Sequence, residues 1–283
     1  MMIMTLKPFR LAMGQMLVEG GRREANLKRA EDMIEEAARR GCGILILPEC
    51  LDLGWTHPSA RELADEIPGS TSDRLSRACR QNDIMAVAGL TERDGERIYN
   101  AAILIDGNGE IILKYRKINI LEIARGLYSV GNILSVVETD LGNIGINICA
   151  DNFESSLAIG HVLSRMGAHF IFSPSAWAVV ADHDDKKNPY GEEWVKSYTK
   201  LSRLYDIAIV GVSSVGWITA GPWKGRKMIG CSLAVGPEGK ILARGPYGVN
   251  AETLICITLK ARERTIEGVE YSEYLKMRGY EGP

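Results

Sequence analysis

The chain has 283 residues, 46% hydrophobic and 25% charged, which excludes a small disulfide scaffold and wholesale disorder and is enough chain to bury a proper core. Lys and Arg total 34 against 36 for Asp and Glu, a net charge of -2. The basic excess that phosphate-backbone binding needs is missing, so nucleic acid is not an expected partner. No run reaches the 18 or so apolar residues of a membrane span, and the opening residues, with Lys7, Pro8 and Arg10, do not read as a secretory leader. Six cysteines (Cys42, Cys50, Cys79, Cys149, Cys231 and Cys256) form no CxxC pair, which argues against a zinc ribbon or a disulfide framework. The expectation is a soluble, cytoplasmic protein with no membrane partner.

In chain order, residues 9–16 read as a strand. Leu27, Ala30, Met33, Ile34 and Ala37 then recur at helical spacing until Gly41 and Gly43, and 44–47 is a buried strand ending at Pro48-Glu49. Parallel strands in such a unit put exposed side chains beyond their C-terminal ends, where sites are built. A helix capped by Ser70 or Thr71 runs to Gln81, followed by a strand over 84–90. Strands 98–105 and 110–115 flank Asp106-Gly107-Asn108-Gly109, a hairpin signal because Gly and Asn accept positive φ. Residues 118–132 read as a loop with one helical turn.

The second half repeats the scheme. Strands 133–138 and 144–149 form a hairpin, a helix spans 153–166, and a strand covers 168–172. A long polar loop (173–190), a helix (192–205) and a strand (207–215) follow. Strands 229–235 and 240–243 pair around Pro237-Glu238-Gly239, and 253–258 closes the sheet. Strands outnumber helices and hairpins mix with strand-helix-strand units. The expected fold is therefore α/β, a four-layer α-β-β-α sandwich of two mixed sheets with helices outside. It forms one domain over 1–283 with a pseudo-two-fold between 9–113 and 133–258.

Three polar residues stand directly after strands in apolar surroundings: Glu49, Lys117 and Cys149. A thiol nucleophile needs a base for its proton and a cation or N–H donor for the oxyanion, which a carboxylate and an ammonium supply without histidine. His57 and His183, in loops, leave a Cys-His pair open. The helix expected after Cys149 aims free N–H groups at the sulfur; the competing reading is a buried thiol that only packs. Asp182-His183-Asp184-Asp185 could be a metal site, but no ligand spacing fixes a geometry, and a solvated charged loop is the preferred reading. Trp177 is a candidate pocket wall, against plain core packing.

Leu47-Pro48-Glu49, Tyr115-Arg116-Lys117 and Gly145-Ile146-Asn147-Ile148-Cys149-Ala150-Asp151 resemble, in this order, the base, lysine and nucleophile motifs of the carbon-nitrogen hydrolase family, or nitrilase superfamily. Arg165-Met166-Gly167-Ala168, Ser173-Pro174-Ser175-Ala176-Trp177 and Gly230-Cys231-Ser232 extend the similarity over nearly the whole chain.

The resemblance implies hydrolysis of a small amide or N-carbamoyl compound through a Cys149 thioester, with ammonia released. Glu49 would be the base, and Lys117 with the Ala150 N–H would hold the oxyanion. It implies no cofactor and no metal. It also implies a homodimer or larger assembly, to which the polar, aromatic tail 262–283 would contribute. The alternatives are a nitrile hydrolase and a non-catalytic scaffold of the same fold. Two departures stand out: Phe153-Glu154-Ser155-Ser156 replaces the arginine-containing run common after the cysteine, and the family's second glutamate has no exact match. Glu122 is the nearest candidate for it, unless it is an ordinary exposed loop charge.

Overall fold

The computed structural model describes residues 7–263 and 272–280. The strands are β1 (Phe9–Gln15), β2 (Ile44–Ile46), β3 (Met85–Asp94), β4 (Arg97–Ile105), β5 (Ile111–Arg116), β6 (Val136–Val137), β7 (Ile144–Ile146), β8 (Phe170–Ser175), β9 (Ala178–Val179), β10 (Ala208–Ser213), β11 (Val215–Trp217), β12 (Lys227–Ile229), β13 (Leu233–Gly236), β14 (Lys240–Arg244) and β15 (Thr253–Leu259). The helices are α1 (Arg23–Arg39), α2 (Ala60–Leu63), α3 (Ser70–Asn82), α4 (Ala158–Arg165), α5 (Glu192–Tyr205) and α6 (Ser272–Met277).

Two six-stranded sheets run β15-β1-β2-β3-β4-β5 and β14-β13-β10-β8-β7-β6. In the first, β1, β2 and β3 are parallel, with β15 antiparallel on one side and β4 and β5 antiparallel on the other. In the second, β7, β8 and β10 are parallel, flanked by antiparallel β6 and by antiparallel β13 and β14. The two sheets therefore have the same sequence of strand directions, in line with the expected pseudo-two-fold over all but one strand. One edge breaks it: β15, from the end of the chain, takes in the first sheet the place that β6 takes in the second.

Side-chain alternation builds the layers. Ala12, Leu45, Ala86, Ala88, Ala101 and Ile103 face α1 and α3, where Leu27, Ala30, Ile34 and Leu75 complete a core. Leu11, Met13, Ile44, Ile46, Val87, Ala102 and Leu104 point the other way, onto Ile146, Phe170 and Phe172 of the second sheet, whose own core reaches α5 through Tyr198 and Leu201. Each Leu or Ile so buried contributes about 1.5–3 kcal/mol. The architecture is the expected α-β-β-α sandwich.

Several elements differ from the expectation. Strand β3 continues to Asp94 and turns directly into β4, with Asp94 opposite Arg97. The expected strand 229–235 is interrupted at Gly230 and Cys231, both at positive φ, and splits into β12 and β13. With β11 and β9, the latter inside the expected polar loop, β12 forms a small third sheet. The helix expected over 153–166 begins only at Ala158. Before it, 149–152 and 154–156 are single 3₁₀ turns, because Asp151 and Asn152 spend their side chains on neighbouring backbone and polar groups instead of yielding to a helix.

Part of the tail 262–283 lies outside the described residues. In the described part Leu275 is buried, Arg278 bonds Asp206 at 3.2 Å, and the Tyr280 ring meets His161 at 5.3 Å, so that segment packs against its own chain. Among the described residues no helix is long and apolar enough to cross a membrane.

Candidate active site

The cross-sheet interface brings the ends of β2, β5 and β7 to one place. Glu49 follows β2, Lys117 follows β5 and Cys149 follows β7; they are 1%, 2% and 9% exposed. Gly89 on β3 makes room for the first of these. A Cβ there would lie 2.6 Å from Glu49 Cα and 2.6 Å from Pro48 O, so only glycine lets the two segments pass this close.

Lys117 Nζ donates to Glu49 Oε1 at 2.7 Å, and Asn100 Nδ2 on β4 donates to the same oxygen at 2.6 Å. Asn100 also accepts the Lys117 N–H on its backbone oxygen at 2.8 Å, which fixes where the lysine chain begins. The other carboxylate oxygen, Glu49 Oε2, is buried and has no hydrogen-bond partner among the described residues. Burying an ion pair this deeply is costly unless it is well bonded. Here one oxygen is saturated and one is left open.

Cys149 sits at φ 45°, a sharp turn that a non-glycine residue seldom adopts and that turns its side chain away from the strand path. Surrounding bonds hold this conformation. The Cys149 N–H donates to Ser173 Oγ at 3.1 Å, Asn152 Nδ2 donates to the same oxygen at 2.9 Å, and the Asn147 and Asn152 amides pair reciprocally at 2.7 and 2.9 Å. Asp151 Oδ2 accepts the Ile148 N–H at 2.9 Å and the Tyr115 hydroxyl at 2.7 Å, while its Oδ1 accepts the Asn119 N–H at 2.8 Å. Asp151 thus fastens the cysteine turn to the end of β5 that carries Lys117.

Burial, then the Glu49 carboxylate, pushes the Cys149 thiol up to about 12, against the opposing pull of Lys117 and of the Ala176 N–H on the sulfur. The resting group is a thiol. Burial disfavours the Lys117 ammonium, but Glu49, Cys149 and Asp151 outweigh it and raise its pKa. Lys117 stays charged. The buried Ala150 N–H, next after the cysteine, is taken by no acceptor among the described residues.

The remaining candidates fall out as follows. Trp177 is 2% exposed and stacks on Trp194 at 4.9 Å, which stacks in turn on Phe153 at 5.0 Å. It therefore serves both readings: it is core, and it also lines a cavity of about 230 Å3 with Tyr190, Cys231, Arg244 and Tyr247. Its backbone adjoins Ala176, and its indole Nε1 is buried with no partner among the described residues. Glu122 lies exposed on a 3₁₀ turn, with no bond to Glu49, Lys117 or Cys149. The buried polar group that this loop contributes is Tyr128, whose hydroxyl accepts the Thr56 N–H at 2.9 Å and lies 3.6 Å from Cys50 Sγ, directly beside Glu49 in sequence.

No described histidine meets Cys149. His57 bonds Ser59, His161 bonds Tyr205, His169 accepts from Asn143, and His183 faces Asp185 at 3.9 Å. No group of three or more His, Cys, Asp or Glu fit to hold a metal occurs among the described residues. A larger cavity of about 700 Å3, between α3 and β5, is lined by none of Glu49, Lys117 or Cys149. The sequence reasoning missed Asn100, whose signal was a lone amide in the apolar run Ile98 to Ile105.

The carbon-nitrogen hydrolase family model matches residues 10–265, and the chain belongs to that family. It is 32% identical over 179 residues to the omega-amidase NIT2 of Xenopus tropicalis, a match covering 60% of this chain and 64% of that one, so it spans less than two thirds of that relative. It is 28% identical over 225 residues to a nitrilase of Pyrococcus abyssi, covering 78% of each. Among solved structures, an amidase from Nesterenkonia sp. superposes with a TM-score of 0.75 at 21% identity, over 89% of this chain and 90% of that one. Mutants of that amidase have also been solved, a double mutant in complex with acrylamide and a single mutant with the acetamide moiety of fluoroacetamide added covalently at the active-site cysteine.

Proposed function

We propose that the protein is an amidase that hydrolyses a small amide or N-carbamoyl compound through a thioester on Cys149 and releases ammonia. The observation that carries this reading is the division of labour within one carboxylate. Lys117 and Asn100 saturate Glu49 Oε1, Oε2 has no partner among the described residues, and the carboxylate acts directly on the buried Cys149 thiol. Because burial favours the protonated thiol, its proton must leave as the bond forms, and this reading assigns Glu49 Oε2, which carries no other bond among the described residues, as the acceptor.

In this reading Cys149 Sγ attacks the carbonyl carbon while its proton passes to Glu49. The oxyanion is held by the Lys117 ammonium and the Ala150 N–H. The tetrahedral intermediate collapses as Glu49 returns the proton to the departing nitrogen, giving ammonia and a thioester. Glu49 then takes a proton from water, the hydroxyl adds to the thioester carbon, and as the acid leaves Glu49 passes that proton to the Cys149 sulfur, which restores both groups. These steps call on no cofactor. Trp177 and Tyr190 wall the space for the acyl part of the substrate, and a second copy of the chain is the expected assembly partner.

A nitrile substrate would use the same three groups, so the test measures both products. Ammonia and acid release are followed for a panel of aliphatic amides, ureido compounds and nitriles with wild-type and Cys149→Ala protein. The amidase reading expects turnover of amides or ureido compounds, with at least a 10³-fold loss in Cys149→Ala. Turnover of nitriles alone makes it a nitrilase. No turnover by folded protein points to the scaffold reading.

A further inference from the structure

The six cysteines are all free thiols, and two of them, 214 positions apart in sequence, meet: Cys42 Sγ lies 3.6 Å from Cys256 Sγ. No other pair of cysteine sulfurs makes such a contact among the described residues. The pair plays no part in the hydrolytic chemistry. Cys42 precedes β2, at the end opposite Glu49, and Cys256 lies on edge strand β15.

The backbone on both sides is already fixed. Cys42 N–H donates to Ala37 O at 3.0 Å and Gly43 N–H to Arg10 O at 2.9 Å, so the turn out of α1 is tied to both α1 and β1. Cys256 stands directly across from Ala12 in the β1–β15 ladder; opposed residues share a face, and a methyl group at Ala12 leaves the space above β1 to the two sulfurs. Arg40 reaches the same spot: its guanidinium donates to Leu254 O at 3.2 Å, two residues before Cys256.

We propose that Cys42 and Cys256 are a modification site, forming a reversible disulfide with small-molecule disulfides of the glutathione type and thereby stapling edge strand β15 to the start of β2. The two thiols have different parts. Cys42 is 6% exposed, and burial, with the neighbouring Cys256, pushes it up to about 11. Cys256 is only half-buried, so it is the sulfur that a small disulfide reaches first. The Cys256 thiolate attacks oxidised glutathione, forming a mixed disulfide and expelling one glutathione thiolate. Cys42 then gives up its proton and attacks the Cys256 sulfur, expelling the second glutathione thiolate, which takes the proton. Two electrons pass from the protein thiols to the glutathione disulfide. Closing from 3.6 Å to the bond length of about 2.05 Å asks for side-chain rotation and a small shift of an edge strand.

The test treats the full chain with oxidised glutathione, blocks remaining thiols, digests without reductant and maps the peptides by mass. The proposal expects a cross-linked Cys42–Cys256 peptide pair, an intact mass lower by two hydrogens, and an upward shift in Tm that dithiothreitol reverses. In Cys42→Ser the reaction should stop at Cys256 carrying one glutathionyl group, with no Tm gain. Recovery of Cys42 and Cys256 as separately blocked or separately glutathionylated peptides from the wild type overturns the proposal. So does a cross-link that leaves Tm unchanged or lower.

Discussion

Replacing Gly89 by alanine adds one carbon behind Glu49 and nothing to the site itself. The added Cβ would lie 2.6 Å from Glu49 Cα and from Pro48 O, about 0.8 Å inside the 3.4 Å at which ordinary contact begins. Both neighbours are backbone atoms, so neither can swing away as a side chain would, and the Pro48-Glu49 segment must move by most of that distance. A misplacement near 1 Å at a reacting group costs about 10²-fold in rate, and overpacking a filled interior costs about 1–3 kcal/mol. Gly89→Ala is therefore expected to fold, to lose about 1–3 kcal/mol in urea unfolding, and to lose about 10²-fold in kcat on the best amide of the panel. Gly126→Ala is the control, since a Cβ there meets nothing within 4 Å. A Gly89→Ala protein with wild-type kcat and wild-type stability would refute the claim that this close approach positions Glu49.

Other substitutions probe the same network. Lys117→Met removes the buried ammonium from the Glu49 carboxylate and leaves the Asn100 amide bonded to it; the loss should be about 3–5 kcal/mol by denaturant unfolding, with activity abolished. Asn100→Leu keeps the lysine but removes the second donor to Oε1 and should lower kcat more than it raises KM. Trp177→Phe keeps the aromatic stack and deletes an unpartnered buried N–H; stability should change by less than about 1 kcal/mol while KM rises.

Asp52, buried beneath Thr91, supplies the pH test. Burial raises its carboxyl from 3.8 to about 6. Its folded-state pKa thus exceeds the unfolded one, and the folded state binds the extra proton between those values. Stability should fall as pH rises from about 4 through about 6 and level off above, by up to ~3 kcal/mol. Asp52→Asn should flatten that slope in pH-dependent denaturant titrations, and an unchanged slope would contradict the assignment.

The layers are legible from local signals, and the three-residue cluster from residues that follow strands together with the resemblance of their motifs to those of the carbon-nitrogen hydrolase family. Apolar runs of a strand's length fix β1, β2 and β10 within a residue or two, and Glu49, Lys117 and Cys149 each stand directly after a strand. What was lost depends on distant groups. Nothing local announces that Gly230 and Cys231 turn to positive φ and cut one strand in two. The helix drawn from Phe153 gave way to 3₁₀ turns because Asp151 reaches Tyr115 and Asn119, residues 36 and 32 positions away. Glu122 matches the family's second glutamate only by its position in a loop, whereas burial turns Tyr128 inward and leaves Glu122 in solvent.

The central claim, that Cys149 carries the acyl group, is tested most directly by rapid acid quench of the enzyme during turnover of its best amide, followed by intact-protein and peptide mass measurement. The account predicts a transient mass increase equal to the acyl group, located on the peptide containing Cys149 and absent from Cys149→Ala. Ammonia release at a wild-type rate by Cys149→Ala, with no acyl-protein species at any quench time, would contradict it.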